Sequence, residues 1–361
     1  MTTLAQLLPL NQVEHFYRGG ERIAAFRGAE GYAGMHSPEE WIASMTTMTS
    51  RGEDGLSRLA DGVLLRDAVT ANPLAWLGPE HVDQFGISTE LLVKLLDAGQ
   101  RLPVHLHPDR AFSRAHLGLA HGKTEAWIIL DVADGAQVRL GFAESMAAAH
   151  VRSLVDAGDS AALVHSLHAR AVAPGDAVLV PAGLPHSIDA GVFLLELQEP
   201  TDLSILLEAQ DLPLDLATDG HLGLGFDVAL EAVRRTALSP DELDALILRA
   251  EELKPDEFDL VGLLPAAGER FFRAHRLNAG GTSPSRAQAG AGFAEGKPAN
   301  QAQLPAGFAV VLVSGGTGAL VTRDGHRLDV RRGDAAVVPF AAGDWRLEGN
   351  VDALVCRPPL P

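Results

Sequence analysis

Three histidines and one glutamate in this sequence have the types and spacing of a metal site: His105, His107, Glu125 and His186. Residues i and i+2 of a β-strand point to the same face, so His105 and His107 can converge on one point. Glu125 begins an apolar stretch typical of a strand, and His186 ends a G-x5-P-x-G-x2-H frame that starts at Gly175. Three imidazoles and a carboxylate suit a borderline divalent cation, Zn²⁺ first, or Fe, Mn, Ni or Co. We predict one metal site with these four ligands.

The alternative for a lone His-x-His pair is two histidines in the core or on the surface, and that alternative holds for most such pairs. Here the pair comes with a glutamate and with a third histidine in a turn-rich frame. The combination favours the metal site.

The surroundings of these residues occur twice in the chain. Residues 174–186, PGDAVLVPAGLPH, are matched by residues 332–344, RGDAAVVPFAAGD, and residues 125–138 align without a gap with residues 308–321. The two blocks follow in the same order in both copies, so two copies of one β unit are the economical explanation.

The two copies differ where the chemistry would lie. Glu125 of the first copy is matched by Phe308 in the second, and His186 is matched by Asp344. A phenylalanine side chain offers no ligand atom to a metal ion. We therefore expect the second copy to be structural and metal-free.

Short strands between glycine- and proline-rich turns are expected to position the site, so the fold is predicted to be mainly β. Residues 275–306 contain few large apolar side chains and predict a long mobile loop inside a β domain, with a domain linker as the alternative. The predicted strands are Leu102–Leu106, Ala126–Val132, Gln137–Phe142, Ala177–Val180, Val192–Leu197, Ala309–Val313, Ala319–Thr322, Ala335–Val338 and Ala353–Cys356.

Two stretches have the pattern of helices instead. Residues 143–170 are rich in Ala and Leu and are interrupted at Gly158-Asp159, which predicts two short helices. Residues 226–253 carry apolar residues at helical spacing. Within them Ser239 and Glu242 form a capping box with Pro240 at the first helical position, a strong signal for a helix start.

Composition and charge exclude several classes of function. The chain has 361 residues, of which 47% are hydrophobic, and a net charge of −18. This charge argues against nucleic acid or an anionic membrane surface as a partner. The single cysteine, Cys356, cannot form an internal disulfide, and the sequence has neither a signal-peptide pattern nor a run of apolar residues long enough to span a membrane. We expect a soluble, cytoplasmic protein.

The metal-ligating residues resemble the signature of the cupin superfamily, and more closely that of type I mannose-6-phosphate isomerases (phosphomannose isomerases). The motifs that carry the resemblance are Leu102–Asp109, LPVHLHPD, and Gly122–Trp127, GKTEAW, preceded by Leu92–Asp97, LVKLLD. Order and spacing agree from about residue 38 to residue 361. The resemblance implies two cupin (double-stranded β-helix) barrels with a helical insert, of which the second barrel is metal-free.

The implied domain division follows the chain. Residues 1–142 and 171–200 would form the catalytic, metal-binding cupin, and residues 143–170 its short helical insert. Residues 201–260 would be a helical segment, and residues 261–361 the second, structural cupin.

The resemblance also implies roles for individual residues. His105, His107, Glu125 and His186 would bind the metal, with His105 at a position where the family usually has Gln. Lys123, on the same strand face as Glu125, matches an active-site lysine of the family; the alternative is a surface lysine. Asp202 matches an acid near the substrate, or else is an acid at the start of a helix.

One position departs from the family pattern. The family has an active-site arginine four residues after the acid that Asp202 matches, and here that position is Leu206. Because an arginine would bind negative charge, its loss weakens the inference to a phosphorylated substrate. The arginines considered as substitutes are Arg110, Arg114, Arg18 and Arg22, each of which is otherwise a surface charge.

The function implied is a metal-dependent aldose–ketose isomerase, whose partner is a small sugar or sugar phosphate. Such an enzyme needs a base for the proton that moves between C1 and C2, and an electrophile for the oxygen charge. The base is left open between a metal-adjacent histidine, Asp202 and Glu196, and Glu196 is alternatively a strand residue facing solvent. The alternative functions are a sugar-binding or regulatory bicupin without catalysis and a cupin oxygenase.

Overall fold

The computed structural model describes residues 3–29, 34–49, 51–255, 260–279 and 303–361. Most of the loop predicted over 275–306 lies outside these residues. The strands are β1 Gln6–Leu7, β2 Gln12–Val13, β3 Glu39–Ile42, β4 Leu92–Asp97, β5 His105–Leu106, β6 Glu125–Val132, β7 Gln137–Phe142, β8 Leu167–Ala171, β9 Ala177–Val180, β10 His186–Ile188, β11 Val192–Gln198, β12 Ile205–Leu206, β13 Ile247–Leu248, β14 Leu260–Gly262, β15 Arg273–Asn278, β16 Gln303–Leu304, β17 Ala309–Thr322, β18 Arg327–Arg331, β19 Ala335–Val338 and β20 Trp345–Arg357.

The helices are short, and none among the described residues is long and apolar enough to cross a membrane. The α-helices are α1 Glu21–Arg27, α2 Leu65–Ala71, α3 Pro73–Leu77, α4 Pro79–Phe85, α5 Arg110–Phe112, α6 Ala148–Ala157, α7 Ser160–His165, α8 Leu216–Asp219, α9 Phe226–Ala229 and α10 Pro240–Asp244. Other helical turns cover Ser113–Leu117, Leu230–Ala232, Ala250–Glu252, Ala266–Gly268 and Phe340–Ala342. The prediction of a mainly β fold is confirmed.

The strands form three antiparallel sheets. A five-stranded sheet has the order β12-β5-β10-β7-β8, and a seven-stranded sheet has the order β13-β9-β6-β11-β4-β3-β2. The third, eight-stranded sheet has the order β1-β19-β17-β20-β15-β14, with β16 on β20 and β18 on β17. Strand β1 thus pairs with β19, so residues 6–7 join the C-terminal sheet and not the unit predicted over 1–142.

The seven-stranded sheet buries both of its faces. On one face Trp127 packs in a cluster with Leu140 and Ile188 of the five-stranded sheet. On the other face Ile128 packs in a cluster with Val310 of the eight-stranded sheet. Since successive residues of a strand point to opposite faces, β6 needs apolar side chains at nearly every position, and its sequence EAWIILDV has them.

The helical predictions are confirmed in part. Helices α6 and α7 lie within 143–170 and are separated at Gly158-Asp159, and the capping box of Ser239 with Glu242 begins α10. The segment predicted as helical over 201–260 is less helical than expected. Its strands β12 and β13 pair with β5 and β9, so this segment extends both sheets of the first unit.

Several strand predictions differ from the structure, and the strand predicted over Ala353–Cys356 is the end of the longer strand β20. The strand predicted over Leu102–Leu106 is reduced to its last two residues, in a stretch where Pro103 has no backbone N–H to donate. The two strands predicted between 309 and 322 are one strand, β17, which pairs along its length with β20. Glycines interrupt the apolar pattern of β17, so the sequence alone predicts two strands. At Gly316, with φ +73°, an added Cβ would lie 1.9 Å from the carbonyl oxygen of Asn350.

Candidate metal centre and active site

The predicted metal ligands converge between the five-stranded and the seven-stranded sheet. His105 on β5 and His186 on β10 are directly opposite each other in the antiparallel ladder, and His107 follows β5. Glu125 is the first residue of β6 in the facing sheet. One ring nitrogen of each of the three histidines lies within 4.8 Å of those of the other two, and all four side chains are buried. The spacing of His105 and His107 predicted that these two side chains converge, and the role of all four residues as metal ligands stays a prediction.

The backbone fixes which nitrogen of each histidine is available. Nδ1 of His105 donates to the carbonyl oxygen of Pro103 at 2.8 Å, and Nδ1 of His186 donates to that of Leu184 at 2.8 Å. Nδ1 of His107 donates to the carbonyl oxygen of Leu203 at 2.6 Å. Because a carbonyl can only accept, each Nδ1 carries the proton, and each neutral ring keeps a lone pair on Nε2. This is the arrangement of metal-ligating histidines.

The carboxylate of Glu125 faces two of those lone pairs. Its Oε2 lies 3.1 Å from Nε2 of His107, and its Oε1 lies 3.3 Å from Nε2 of His186. Trp127 holds Oε1 in place by donating from Nε1 at 3.1 Å. Nε2 of His186 is buried and has no hydrogen-bond partner. Lone pairs facing a carboxylate repel one another unless a cation lies among them, so the donor set fits a divalent metal ion.

The protonation states suit metal binding as well. Burial and the neighbouring imidazoles hold the pKa of His105 well below its usual value. Burial and the Lys123 ammonium lower the pKa of His107 to about 3. Burial alone would raise the pKa of Glu125, but Lys123 and His107 hold it well below its usual value. Near neutral pH these two imidazoles are therefore neutral and the carboxylate is ionised, as metal ligands must be.

Lys123 lies inside the site and is not a surface lysine. Its side chain is buried, and its Nζ lies 3.2 Å from Nε2 of His107 and 3.3 Å from Oε2 of Glu125. It also lies 3.9 Å from Oε1 of Glu196. A positive charge is therefore placed directly beside the ligands.

A row of side chains crosses the seven-stranded sheet next to the metal ligands. Glu196 on β11 lies opposite Trp127 on β6 and opposite Lys94 on β4, and Lys94 lies opposite Trp41 on β3. Cross-strand partners point to the same face, so all four side chains face the five-stranded sheet. Glu196 is thus buried, and the alternative of a solvent-facing residue is wrong.

Lys94 is held between two carboxylates. Its Nζ lies 3.2 Å from Oε2 of Glu39 and 3.8 Å from Oε1 of Glu196. Burial, together with the charge of Glu125, raises the pKa of Glu196 to about 8. Sequence reasoning missed Glu39 and Lys94, although a charged residue inside an apolar strand such as LVKLLD was the available signal.

These residues surround a cavity beside the metal centre. The cavity has about 500 Å³ of empty space, its opening to solvent included. Asp202 lines it, and its Oδ2 accepts a hydrogen bond from the backbone N–H of Thr49 at 2.9 Å. The lining residues are His15, Phe16, Tyr17, Glu39, Lys94, Leu96, Leu102, Pro103, His105, Lys123, Glu125, Ile188, Glu196, Asp202, Ser204 and Leu206.

Comparison with known proteins gives relatives of one kind. The chain is 26% identical over 290 residues to mannose-6-phosphate isomerase of Streptococcus mutans, covering 78% of this chain and 79% of that protein. It is 25% identical over 266 residues to mannose-6-phosphate isomerase ManA of Bacillus subtilis, covering 73% and 74%. No family model matches the chain. These relatives support the resemblance to the mannose-6-phosphate isomerase family that the sequence motifs carry.

A solved structure shows the same fold. The crystal structure of mannose 6-phosphate isomerase from Bacillus subtilis superimposes with a TM-score of 0.72 at 19% identity, over 98% of this chain and 100% of that chain. This likeness shows the fold. The predicted class of enzyme, an isomerase, is confirmed with the curated relatives, which do not favour the alternatives of a non-catalytic bicupin and an oxygenase.

The position where the resemblance to this family implies an arginine is apolar here. Leu206 is buried on β12, opposite His105, and lines the cavity. Of the arginines considered as substitutes, Arg110 pairs with Glu199, and Arg22 pairs with Asp97 at 2.7 Å. The other two, Arg18 and Arg114, are exposed. None of the four lines the cavity.

The second copy of the repeat has an apolar interior. Phe308, at the position that matches Glu125, is buried in the core. Asp344, at the position that matches His186, accepts a hydrogen bond from the backbone N–H of Ala306 at 3.0 Å. Within the part of the chain that the structure describes, the three histidines of the first copy are the one cluster suited to a metal ion.

Proposed function

We propose that this protein is a metal-dependent aldose–ketose isomerase, which interconverts an aldohexose, such as the mannose 6-phosphate of its relatives' names, with the corresponding ketose. The observation that carries the proposal is the set of three histidine Nε2 lone pairs, each fixed by a backbone carbonyl, that meets Glu125 at the wall of a cavity. His105, His107, Glu125 and His186 would hold one divalent ion per chain. We propose Zn²⁺, because imidazole and carboxylate ligands suit it.

A bound divalent ion would act as a Lewis acid on sugar oxygens. Isomerisation moves the proton on C2 to C1 and the hydroxyl proton on O2 to O1, through an enediolate whose negative charge lies on oxygen. The buried ammonium of Lys123 would stabilise that charge. Its fixed position between His107 and Glu125 supports this role.

Three carboxyl groups besides that of Glu125 line the cavity, and we assign different roles to two of them, Glu196 and Asp202. Glu196 is buried, and its Oε1 has no hydrogen-bond partner. Its pKa of about 8 suits a group that takes and returns a proton near neutral pH, so we assign it the transfer between C2 and C1. Asp202 is held by Thr49 and would bind a sugar hydroxyl.

The experiment is an assay in deuterated water with the metal-loaded protein, D-mannose and D-mannose 6-phosphate, followed by NMR. We expect the ketose to form, with solvent deuterium at the carbon that receives the proton. Glu196→Gln should abolish both signals while the metal stays bound. If the loaded protein gives neither product nor exchange with a panel of aldoses and their 6-phosphates, the proposal is wrong.

The proposal includes the partner and the location. The partner is a small sugar or sugar phosphate, and the net charge of −18 supports the exclusion of nucleic acid and of anionic membrane surfaces. A cytoplasmic location is supported by Cys356, which is a free and buried thiol.

A further inference from the structure

The side chains around the cavity carry more negative than positive charge. Four carboxyl groups line it, those of Glu39, Glu125, Glu196 and Asp202, against two ammonium groups. Among the described residues no arginine lines the cavity. A divalent ion on the histidines would bring the sum of these charges to zero with Glu196 ionised and to one positive charge with Glu196 protonated, which is less than the charge of about −1.5 to −2 on a phosphate.

Both ammonium groups are already paired with carboxylates. Lys94 lies within 3.8 Å of Glu39 and of Glu196, and Lys123 lies within 3.9 Å of Glu125 and of Glu196. A phosphate with a charge of about −1.5 to −2 would have to compete with these carboxylates at close range. Like charges placed together in this way cost several kcal/mol of binding.

The same cavity is better supplied with groups for neutral hydroxyls. His15 lines it, and its Nδ1 is buried without a hydrogen-bond partner, as is Oε1 of Glu196. Buried polar atoms of this kind need a partner, and a hydroxyl can serve either as donor or as acceptor. The rings of Phe16 and Tyr17, which pack edge to face, provide an apolar wall for the C–H groups of a sugar.

We infer that this cavity takes an uncharged aldose in preference to a sugar phosphate, with His15 as one of the residues that bind its hydroxyl groups. The inference rests on the proposed isomerase function and specifies its substrate class. The cation best placed to bind a phosphate instead is Arg51. It is exposed, does not line the cavity, and donates from Nη1 to the backbone oxygen of Glu14 at 2.9 Å.

The first test compares kcat/KM of the metal-loaded protein for D-mannose and for D-mannose 6-phosphate. We expect the value for the free sugar to be higher by at least about tenfold. A higher value for the 6-phosphate overturns the inference. If Arg51→Ala then removes this preference for the 6-phosphate, the phosphate binds beside Arg51, at the opening of the cavity. If the protein turns over neither sugar, that result contradicts the proposed isomerase function and not the preference for an uncharged sugar.

Binding is measured separately from turnover, so that a failure of the proposed isomerase function can be distinguished from a failure of the inferred substrate preference. Calorimetry with mannitol and with mannitol 1-phosphate, which cannot isomerise, should show tighter binding of the uncharged alcohol to the metal-loaded protein. Tighter binding of the phosphate overturns the inference whatever the turnover is.

The second test concerns His15. His15→Ala should raise KM for the free sugar about fivefold with little change in kcat, since a hydrogen bond present in both ground and transition state is lost. His15→Asn, whose amide can take the place of Nδ1, should restore most of the affinity, and His150→Ala, at an exposed position, should change nothing. An unchanged KM in His15→Ala removes His15 from the sugar site.

Discussion

The ammonium nitrogen of Lys123 lies 3.2 Å from Nε2 of His107. Because Nδ1 of His107 already donates to the backbone, this Nε2 carries the lone pair that a metal ion would use. The ammonium and a bound cation therefore repel each other while they share the same pair of ligands. Lys123 thus lies where it weakens metal binding and where it can stabilise negative charge on a bound sugar.

The first prediction separates these two effects. Lys123→Met should lower kcat by ~10²–10³, because a charge-stabilising group is lost, and should leave the metal bound at least as tightly, because a repelling charge is removed. Steady-state kinetics and elemental analysis of the same sample check both parts. Lys254→Met, at an exposed position, is the control and should behave as the unmodified protein. A near-normal kcat would exclude Lys123 from the chemistry.

The second prediction concerns the metal ligands. His107→Ala should lose the bound metal and the activity, because a site with four protein ligands loses one donor. Asp344→Ala changes the position that matches His186 in the second copy, and should keep one metal ion per chain. Elemental analysis decides: two ions per chain, or full metal content in the His107 variant, would contradict the assignment.

The clustering of the proposed metal ligands could be predicted from the sequence because each signal was local. His105 and His107 are two residues apart, and Glu125 and His186 begin strands whose apolar pattern is plain. The differences between the two copies then predicted that the second copy is metal-free. Short-range spacing and one repeat were enough to predict the cluster of histidines and the mainly β fold.

The surroundings of the metal site could not be predicted in this way. Glu39, Lys94 and Glu196 belong to three strands that are far apart in sequence, and only the sheet order β11-β4-β3 makes them neighbours. As long as the neighbours of strand β11 in the sheet are unknown, the sequence allows Glu196 to face either the interior or solvent. The positions of Arg110 and Arg22 were open for the same reason, since their carboxylate partners come from distant segments.

The third prediction concerns the pH dependence of stability. Glu40 on β3 is buried, its Oε1 lies 3.0 Å from Nε of Arg27, and its Oε2 has no hydrogen-bond partner. Burial raises its pKa to about 7, against the lowering effect of Arg27. The folded protein therefore binds this proton more tightly than the unfolded chain does, so this group lowers the free energy of unfolding as the pH rises from about 4.5 to 7.

Glu40→Gln should remove this dependence. Between pH 5 and pH 8, the free energy of unfolding of the variant should rise relative to that of the unmodified protein by about 2–3 kcal/mol, measured by urea denaturation. Glu53→Gln is the control, because Glu53 is exposed and pairs with Arg58 on the surface. A difference between variant and unmodified protein that is the same at both pH values would show that Glu40 is ionised across the range.

The last prediction concerns Leu206, whose side chain lines the cavity opposite His105. Leu206→Arg should raise kcat/KM for mannose 6-phosphate relative to that for mannose by about tenfold or more, because a hydrogen bond to a charged group contributes about 1.5–3 kcal/mol. Leu206→Gln adds an uncharged polar group on a side chain about as large as leucine, and should leave the ratio nearly unchanged. An equal effect of both variants would mean that polarity, and not charge, limits the binding of the phosphate. If the unmodified protein already prefers the 6-phosphate thousands of times over, another cation fills the role, and Arg51, Arg110, Arg114 and Arg18 are the residues to change first.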